Sequence, residues 1–341
     1  MQPDAIKYIT IRSFRSIASV EKLELGPINV LIGANGAGKS NFVEAFVFID
    51  EALDERLERL GNYVKAAGGA EKLLHFGSKT TKEIVLQLFF EGGEFLESTL
   101  SPAVGDSLYL REAQFRNQRP RSNSGPWRVY HLHDTSSSSP MRKTAKVDDN
   151  RFLRPDGSNL PAFLYYLRVK HEASYNLVRQ TVRRVAPFLD DFHLEPRNLA
   201  PDDIKLEWRH KNSDQYFDAS SLSDGTLRFI VLATLFLQPV QLRPSLILVD
   251  EPELGLHPYA IGMLASLIRQ ASVDTQVIVS TQSSRLLDYF EPQDVLVADR
   301  VSGGTQIRHL DASQLAVWLE DYSLGELWEK NEFEGQPVPE R

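Results

Sequence analysis

Cysteine is absent from the 341-residue sequence. This absence excludes a disulfide framework, a thiolate metal site and a cysteine nucleophile, and it favours a reducing, cytoplasmic location. Long apolar runs are also missing, since the longest, residues 229–237, is about half of a membrane span. Residues 1–4 lack the basic start of a secretory signal. We therefore expect a protein that is neither exported nor embedded in a membrane.

An excess of positive charge is missing as well, because 38 Lys and Arg residues stand against 46 Asp and Glu residues. This balance argues against a histone-like coat of positive charge and leaves open a local basic groove for nucleic acid. With 42% hydrophobic residues, the composition is that of a globular protein. The length predicts two lobes or one large α/β domain with an insertion.

The N-terminal part predicts strands followed by a helix and a hairpin. Apolar residues at spacings of three and four predict one long amphipathic helix over residues 42–60. Alternating residues on either side of residues 91–94 predict a hairpin between residues 83 and 101. The predicted strands span residues 6–14, 20–25 and 28–32.

The rest of the chain divides into a polar segment and an apolar one. Residues 116–158 are rich in Arg, Ser, Asn, Pro and Gly, which predicts loops. Three short, almost continuous apolar runs near the C-terminus predict parallel strands covered on both faces. These runs are residues 246–249, 277–279 and 295–298; predicted helices span 159–169, 173–188 and 261–271, and short strands lie around 192–195 and 204–208.

The fold class is therefore α/β, with a mixed or parallel central sheet, an N-terminal antiparallel β subdomain and a helical and loop insertion. We place the N-terminal lobe at residues 1–115, the insertion at residues 116–215 and the C-terminal lobe at residues 216–341.

A phosphate-binding loop lies between the third predicted strand and the long helix. Its glycines let backbone N–H groups approach phosphate oxygens, and the helix adds its positive end. Lys39 is expected to reach the β- and γ-phosphates, and the Ser40 hydroxyl to ligate Mg²⁺. ATP and Mg²⁺ are thus the predicted cofactors. The motif is a complete G-x-x-x-x-G-K-S, formed by Gly33, Ala34, Asn35, Gly36, Ala37, Gly38, Lys39 and Ser40, with Asn41 next in the predicted nucleotide site.

Two adjacent carboxylates follow the apolar run at residues 246–249. The carboxyl edge of a parallel sheet is where α/β folds bind ligands. Asp250 is therefore expected to hold Mg²⁺ through its water shell, and Glu251 to polarise the water that attacks the γ-phosphate.

A second anion-binding corner is predicted before the apolar helix at residues 227–237. Leu222-Ser223-Asp224-Gly225-Thr226 resembles the L-S-G-G-Q signature of ABC-type ATPases. By that resemblance, Ser223, Asp224 and Gly225 belong to a nucleotide site.

Further segments strengthen the resemblance. Ser13-Phe14-Arg15-Ser16 is similar to the N-F-R-S segment of RecF, SMC and related repair ATPases, which implies that Arg15 lies by the nucleotide. Residues 251–258 are similar to the D-loop stretch of RecF-like and overcoming-lysogenization-defect (OLD) ATPases, and residues 277–283 occupy the place of their switch strand. The chain as a whole resembles a compact bacterial family of RecF/OLD-like ABC-type ATPases related to SMC heads.

The resemblance implies a head-to-tail homodimer that encloses two Mg-ATP, with each signature segment closing on the partner's nucleotide. It also implies a setting in DNA repair, DNA maintenance or anti-phage defence. Gln282 departs from the family, which mostly has a switch histidine there, and cannot titrate near neutral pH. Gln87 and Gln114 are both candidates for a Q-loop residue.

Two further features of the sequence concern possible ligands other than nucleotide. Arg116, Arg119, Arg121 and Arg128, interleaved with Phe115 and Trp127, form either a loop that tracks DNA or RNA phosphates or a solvated loop. His131 and His133 offer imidazole ligands, but no third ligand stands at a telling spacing, and the sequence favours no metal site.

Three functions are compatible with these motifs. The first is an ATP-hydrolysing dimeric motor or switch. The second is an ATP-dependent dimerising module that controls a partner effector such as a nuclease, with little turnover. The third, a P-loop kinase for a small molecule, is disfavoured by the pairing of the signature segment with Asp250 and Glu251.

Overall fold

A computed structural model describes residues 2–53, 57–116 and 127–333. The chain forms two compact units: unit 1 comprises Met1–Arg121 and Gln276–Arg341, and unit 2 comprises Ser122–Thr275. The strands are β1 (Ile6–Phe14), β2 (Ile17–Glu24), β3 (Ile28–Ile32), β4 (Ile84–Phe90), β5 (Phe95–Ala103), β6 (Ser107–Arg116), β7 (Trp127–His131), β8 (Ala145–Lys146), β9 (Leu189–His193), β10 (Pro196–Arg197), β11 (Ala200–Ile204), β12 (Glu207–His210), β13 (Tyr216–Asp218), β14 (Leu246–Asp250), β15 (Gln276–Thr281), β16 (Val295–Val301) and β17 (Gly304–His309). The helices are α1 (Lys39–Leu53), α2 (Leu57–Ala66), α3 (Ala70–Leu73), α4 (Leu160–Lys170), α5 (Glu172–Val185), α6 (Asp224–Leu237), α7 (Pro258–Ala271), α8 (Ser284–Leu287), α9 (Ala312–Leu315) and α10 (Leu324–Glu329).

Unit 1 contains a mixed sheet with the strand order β6-β5-β4-β1-β2-β17-β16-β3-β15. The strands from β6 to β2 pair antiparallel, whereas β3 pairs parallel with both β15 and β16. The predicted combination of an antiparallel N-terminal part with a mixed or parallel sheet is confirmed. The parallel strands carry the phosphate-binding loop at their carboxyl edge.

The side chain of Gln276 ties the start of β15 to the N-terminal strands. Its Oε1 accepts from the backbone N–H of Ile6 at 2.9 Å, and its Nε2 donates to the carbonyls of Ile6 and Gly26 at 2.8 and 3.0 Å. Gln276 is only 4% exposed, so these bonds satisfy a buried amide. They hold β15 next to the strands that lead into β3.

Helix α1 covers the unit 1 core with an apolar face. Phe42, Phe46 and Ile49 are fully buried, as their predicted spacing requires. Helix α2 adds the buried Leu60. The structure describes two helices where the sequence predicts one long helix, and residues 54–56 between them lie outside the described residues.

Unit 2 is built around α6, which packs between α5 and α7. All side chains of residues 227–237 are buried, because the helix is apolar on nearly every side. The fully buried strand β14 pairs in parallel with β7. Two small antiparallel sheets, β10-β11-β8 and β13-β12-β9, complete the unit.

The strands β1, β3, β14, β15 and β16 and the helices α4, α5 and α7 confirm their predicted segments, with ends shifted by a few residues. The prediction of loops over residues 116–158 is wrong for β7, a parallel strand inside this segment. Residues 117–126, which include Arg119 and Arg121, lie outside the described residues.

Among the described helices, none has the length and apolarity needed to cross a membrane.

Candidate functional site

The predicted phosphate-binding loop connects β3 to α1 in unit 1. The loop leaves the sheet after Ile32, and α1 begins at Lys39. Lys39 Nζ donates to the carbonyl oxygens of Gly33 and Ala34 at 2.7 and 3.1 Å, which curls the side chain over the loop. Ser40 is exposed on the first turn of this 15-residue helix. An ammonium group, a hydroxyl and a helix N-terminus at one loop fit a nucleotide phosphate with its Mg²⁺.

Gly38 is required at its position by both conformation and space. Its φ of +102° is unfavourable for any residue with a side chain. A Cβ on Gly38 would overlap the Thr305 side chain of β17, whose Oγ1 lies 2.7 Å from Ser16 Oγ. The Thr305 side chain thus leaves no room for a side chain at position 38.

The Arg15-Ser16 turn lies against the start of α1. Asn41 Nδ2 donates to Ser16 Oγ at 2.6 Å, and Ser16 Oγ also contacts Thr305 Oγ1, so the three side chains form one hydrogen-bonded cluster. The guanidinium of Arg15 lies 3.5 Å from Glu44, whose carboxylate also accepts from the hydroxyl of Tyr63. Burial, followed by the bond to Glu44, raises the pKa of Tyr63. The Arg15-Ser16 turn is thus held against the first turns of α1, the helix that follows the predicted phosphate-binding loop.

Gln282 follows β15 at the same sheet edge. Thr281, the last residue of β15, is in register with Ile32, the last residue of β3. Gln282 is therefore the neighbour of Gly33 at the point where both strands end, and its side chain is exposed. Its amide can offer a hydrogen bond at this edge and has no titrating proton.

The two adjacent carboxylates end β14 in unit 2. All five β14 residues are buried, and Asp250 is 8% exposed. Glu251 has a φ of +43°, in the left-handed region that non-glycine residues rarely adopt. Such backbone strain is common at functional sites. Here the left-handed conformation turns the chain away from the direction of β14 immediately after Asp250.

Two histidines at the end of β7 accompany Asp250. His131 is in register with Asp250, and His133 Nε2 lies 3.5 Å from Asp250 Oδ2. One ligand atom from each of the three residues falls within 4.8 Å of the others. The hydrogen bond to Asp250 raises the pKa of His133, and desolvation opposes this shift. The sequence shows the two histidines but not the strand pairing that brings Asp250 to them.

The signature segment forms the N-terminus of α6. Ser223 caps the helix by accepting from the Thr226 backbone N–H at 3.2 Å. Leu222 is buried, whereas Ser223 and Asp224 are exposed. A Cβ on Gly225 would clash with the carbonyl oxygen of Gly255 in the predicted D-loop. The two segments therefore touch through backbone, and the polar start of α6 faces outward.

Arg142 holds the signature segment in place. Its guanidinium donates to the carbonyls of Ala219 and Leu222 and to the Asp224 carboxylate, at 2.6, 3.2 and 2.7 Å. Its Nε donates to the carbonyl of Thr135 at 3.0 Å. Only 7% of the Arg142 side chain is exposed, so it is a structural clamp of this segment.

Arg228, one turn into α6, connects this helix to residues 131–133 at the end of β7, which we call the histidine loop. It is buried and donates to the carbonyl oxygens of Leu132 and His133 at 2.9 and 3.2 Å. Burial lowers the pKa of Arg228, and the carboxylates of Asp224 and Glu253 oppose that shift. The backbone that carries His131 and His133 is thus fixed to α6.

One arginine of the predicted phosphate-tracking loop has a protein partner. Arg128 stacks over the Phe152 ring at 3.7 Å. The Q-loop candidates Gln87 and Gln114 lie on the antiparallel strands β4 and β6. His257, a D-loop histidine, caps α7 by accepting from the Tyr259 backbone N–H.

Solved SMC head domains share this fold. An SMC head bound to the C-winged helix domain of ScpA has 17% identity and a TM-score of 0.64, and covers 92% of this chain and 99% of its own. The SMC head domain from Thermotoga maritima has 14% identity and a TM-score of 0.52, with 90% and 99% covered. An SMC head with an extended coiled coil, bound to the C-terminal domain of ScpA from Pyrococcus furiosus, has 13% identity and a TM-score of 0.59, with 93% and 98% covered.

The comparison with family models assigns the chain to a family of ATPase domains. No curated protein matches the chain in sequence. A family model described as "AAA domain, putative AbiEii toxin, Type IV TA system" matches residues 28–288, and the chain therefore belongs to this family, AAA_21.

Proposed function

We propose that the chain binds and hydrolyses ATP with Mg²⁺ as a RecF/OLD-like member of the ABC class. Lys39 and the loop backbone bind the phosphates, and Ser40 ligates Mg²⁺. Asp250 supports the Mg²⁺ water shell, and Glu251 polarises the attacking water. The nearly buried Asp250 at the end of β14, followed at once by Glu251 in a left-handed turn, supports these separate roles.

We further propose that two copies associate head-to-tail around two Mg-ATP. The observation that carries this proposal is the outward-facing start of α6. Ser223 and Asp224 are exposed there, although Leu222 and the helix that follows are buried. A clamped helix N-terminus with an exposed hydroxyl is suited to a phosphate carried by another molecule.

The test of this proposal is a dimer trapped by slow hydrolysis. Glu251→Gln removes the carboxylate that accepts a proton but keeps the shape of the side chain, so Mg-ATP should bind and persist. Light scattering should show a dimer for this variant with Mg-ATP and a monomer without nucleotide. A monomer under both conditions would contradict the composite site.

A matched pair of variants locates the interface. Ser223→Arg places a bulky cation at the start of α6 and should abolish the ATP-dependent dimer while nucleotide affinity stays unchanged. Ser266→Arg, at an exposed serine in the middle of α7, makes the same chemical change elsewhere. Both substitutions should be made on the Glu251→Gln background. Equal loss of the dimer in the two variants would remove the evidence for an interface at Ser223.

A second candidate function is an ATP-dependent dimerising module that controls a partner effector, such as a nuclease, with little turnover of its own. Gln282, exposed where β15 ends, favours it because an amide cannot exchange a proton with the reacting groups. Gln282→His should then raise turnover about tenfold or more. An unchanged rate would argue against this interpretation of Gln282.

The setting that we propose is cytoplasmic DNA maintenance or anti-phage defence. The family description names a toxin and a toxin–antitoxin system, which supports defence. ATPase rates measured with increasing single- and double-stranded DNA test the choice of partner. Stimulation by DNA supports a motor on nucleic acid, whereas indifference supports control of an effector protein.

A further inference from the structure

The two histidines at the end of β7 lie on one side of the chain with Asp250. His131 is in register with Asp250 in the parallel β7–β14 pair. His133 is two residues further on, and the intervening Leu132 is buried at 1% exposure. Residues two apart in an extended segment point to the same side, so both imidazoles are directed toward the carboxylate.

The donor atoms are close enough to share one cation. The His133 Nε2 to Asp250 Oδ2 distance is 3.5 Å, and all three donors lie within 4.8 Å of one another. A tetrahedral ion with bonds near 2.0–2.1 Å needs donors roughly 3.3 Å apart. One pair already meets this requirement, and the exposed His131 ring can close the remaining gap by rotating its side chain.

The backbone of the histidine loop is held before any ion arrives. Arg228 donates to the carbonyls of Leu132 and His133, and Tyr130 just before the loop is fully buried. Asp134, the carboxylate nearest in sequence, instead accepts from the backbone and hydroxyl of Ser136 at 3.0 and 2.7 Å. The carboxylate placed beside the histidines is therefore that of Asp250.

We infer that His131, His133 and Asp250 form a site for one first-row transition-metal dication of the Zn²⁺ and Co²⁺ class. Two imidazole nitrogens and one carboxylate oxygen suit such ions, whereas Mg²⁺ prefers oxygen ligands throughout. Three protein ligands leave a fourth position for water or an incoming group. The site does not depend on the proposed ATP hydrolysis, although it shares Asp250 with it.

The experiment is a titration of the nucleotide-free, full-length protein with Co²⁺, followed by its visible absorption. We expect one equivalent with an intense tetrahedral-type spectrum, displaced by Zn²⁺ and unaffected by excess Mg²⁺. His131→Gln and His133→Gln should each weaken Co²⁺ affinity about tenfold or more. His309→Gln, at an exposed histidine of β17 that contacts the Glu24 carbonyl, is the matched control and should leave the titration unchanged.

A measurement on the unaltered chain guards against misfolded variants. X-ray absorption of the Zn²⁺-loaded protein should show two imidazoles per zinc. Equal Co²⁺ affinity in the double variant His131→Gln/His133→Gln, or a zinc with no histidine ligand, would overturn the inference. Because nucleotide is absent from both measurements, the outcome is separate from that of the ATPase proposal.

Discussion

Arg142 offers the sharpest test of how the signature segment is held. Its side chain is 7% exposed and donates to the carbonyl oxygens of Thr135, Ala219 and Leu222 and to Asp224. Arg142→Met keeps most of the apolar stem and removes every donor. We expect the variant to fold with a loosened start of α6.

The magnitude follows from the kinds of bond that are lost. Bonds from a charged donor to carbonyls contribute about 1.5–3 kcal/mol each, and they are not additive. The Asp224 carboxylate is 62% exposed, so its ion pair adds little. Three carbonyls that can partly regain water suggest a loss of about 2–4 kcal/mol in the free energy of unfolding.

Urea denaturation measures the total loss, and amide hydrogen exchange locates it. Exchange should accelerate in residues 219–227, where Leu222 donates to the Ala219 carbonyl and Leu227 to that of Ser223. The control is Arg168→Met, since Arg168 donates to the carbonyl of Leu194 and to Glu195 from a side chain that is 29% exposed. It should cost less and leave exchange at residues 219–227 unaltered.

A loss below about 1 kcal/mol for Arg142→Met, with unchanged exchange at residues 219–227, would refute the clamp. Loss of stability with normal exchange there would show that Arg142 supports unit 2 generally. In that case the exposed position of Ser223 would need another explanation.

Two further predictions concern the glycines and the lysine of the motifs. Gly225→Ala should lower the free energy of unfolding by about 1–3 kcal/mol, because the added Cβ would clash with the Gly255 carbonyl. Gly61→Ala in α2 should raise the free energy of unfolding by about 0.5–1 kcal/mol, because nothing lies within 4 Å of the added Cβ and alanine favours a helix. Thermal or urea unfolding checks both, and stabilisation by both would show that the two backbones are not in contact. Lys39→Met should weaken ATP affinity at least roughly tenfold, because we propose that its ammonium binds the phosphates. The variant should also lose about 1–3 kcal/mol in the free energy of unfolding, because the ammonium is buried and donates to the carbonyls of Gly33 and Ala34. Fluorescent-nucleotide titration measures the affinity, and equal affinity in the variant would exclude the predicted role.

The local features of the fold were predictable because each carries its own pattern. The β1 and β3 bounds match the predicted segments, and the phosphate-binding loop joins β3 to α1 as its glycine spacing requires. The loop prediction missed β7 because its five residues adjoin a long polar stretch, so composition alone hides a short strand whose partner is distant in sequence.

Contacts between distant residues account for the rest. The sequence offered two histidines without a third ligand, and only the β7–β14 register supplies Asp250. The sequence gives no sign of the role of Arg142, whose guanidinium donates to the carbonyls of a segment far along the chain. No periodicity or spacing rule encodes such pairings, because they depend on the folded positions of separate elements.

The left-handed backbone of Glu251 sets stability against activity. A glycine there would relieve about 1 kcal/mol or more of conformational cost while deleting the proposed catalytic carboxylate. Selecting variants of this protein for heat resistance alone should therefore enrich Glu251→Gly. On the proposed mechanism, these more heat-stable variants would not hydrolyse ATP.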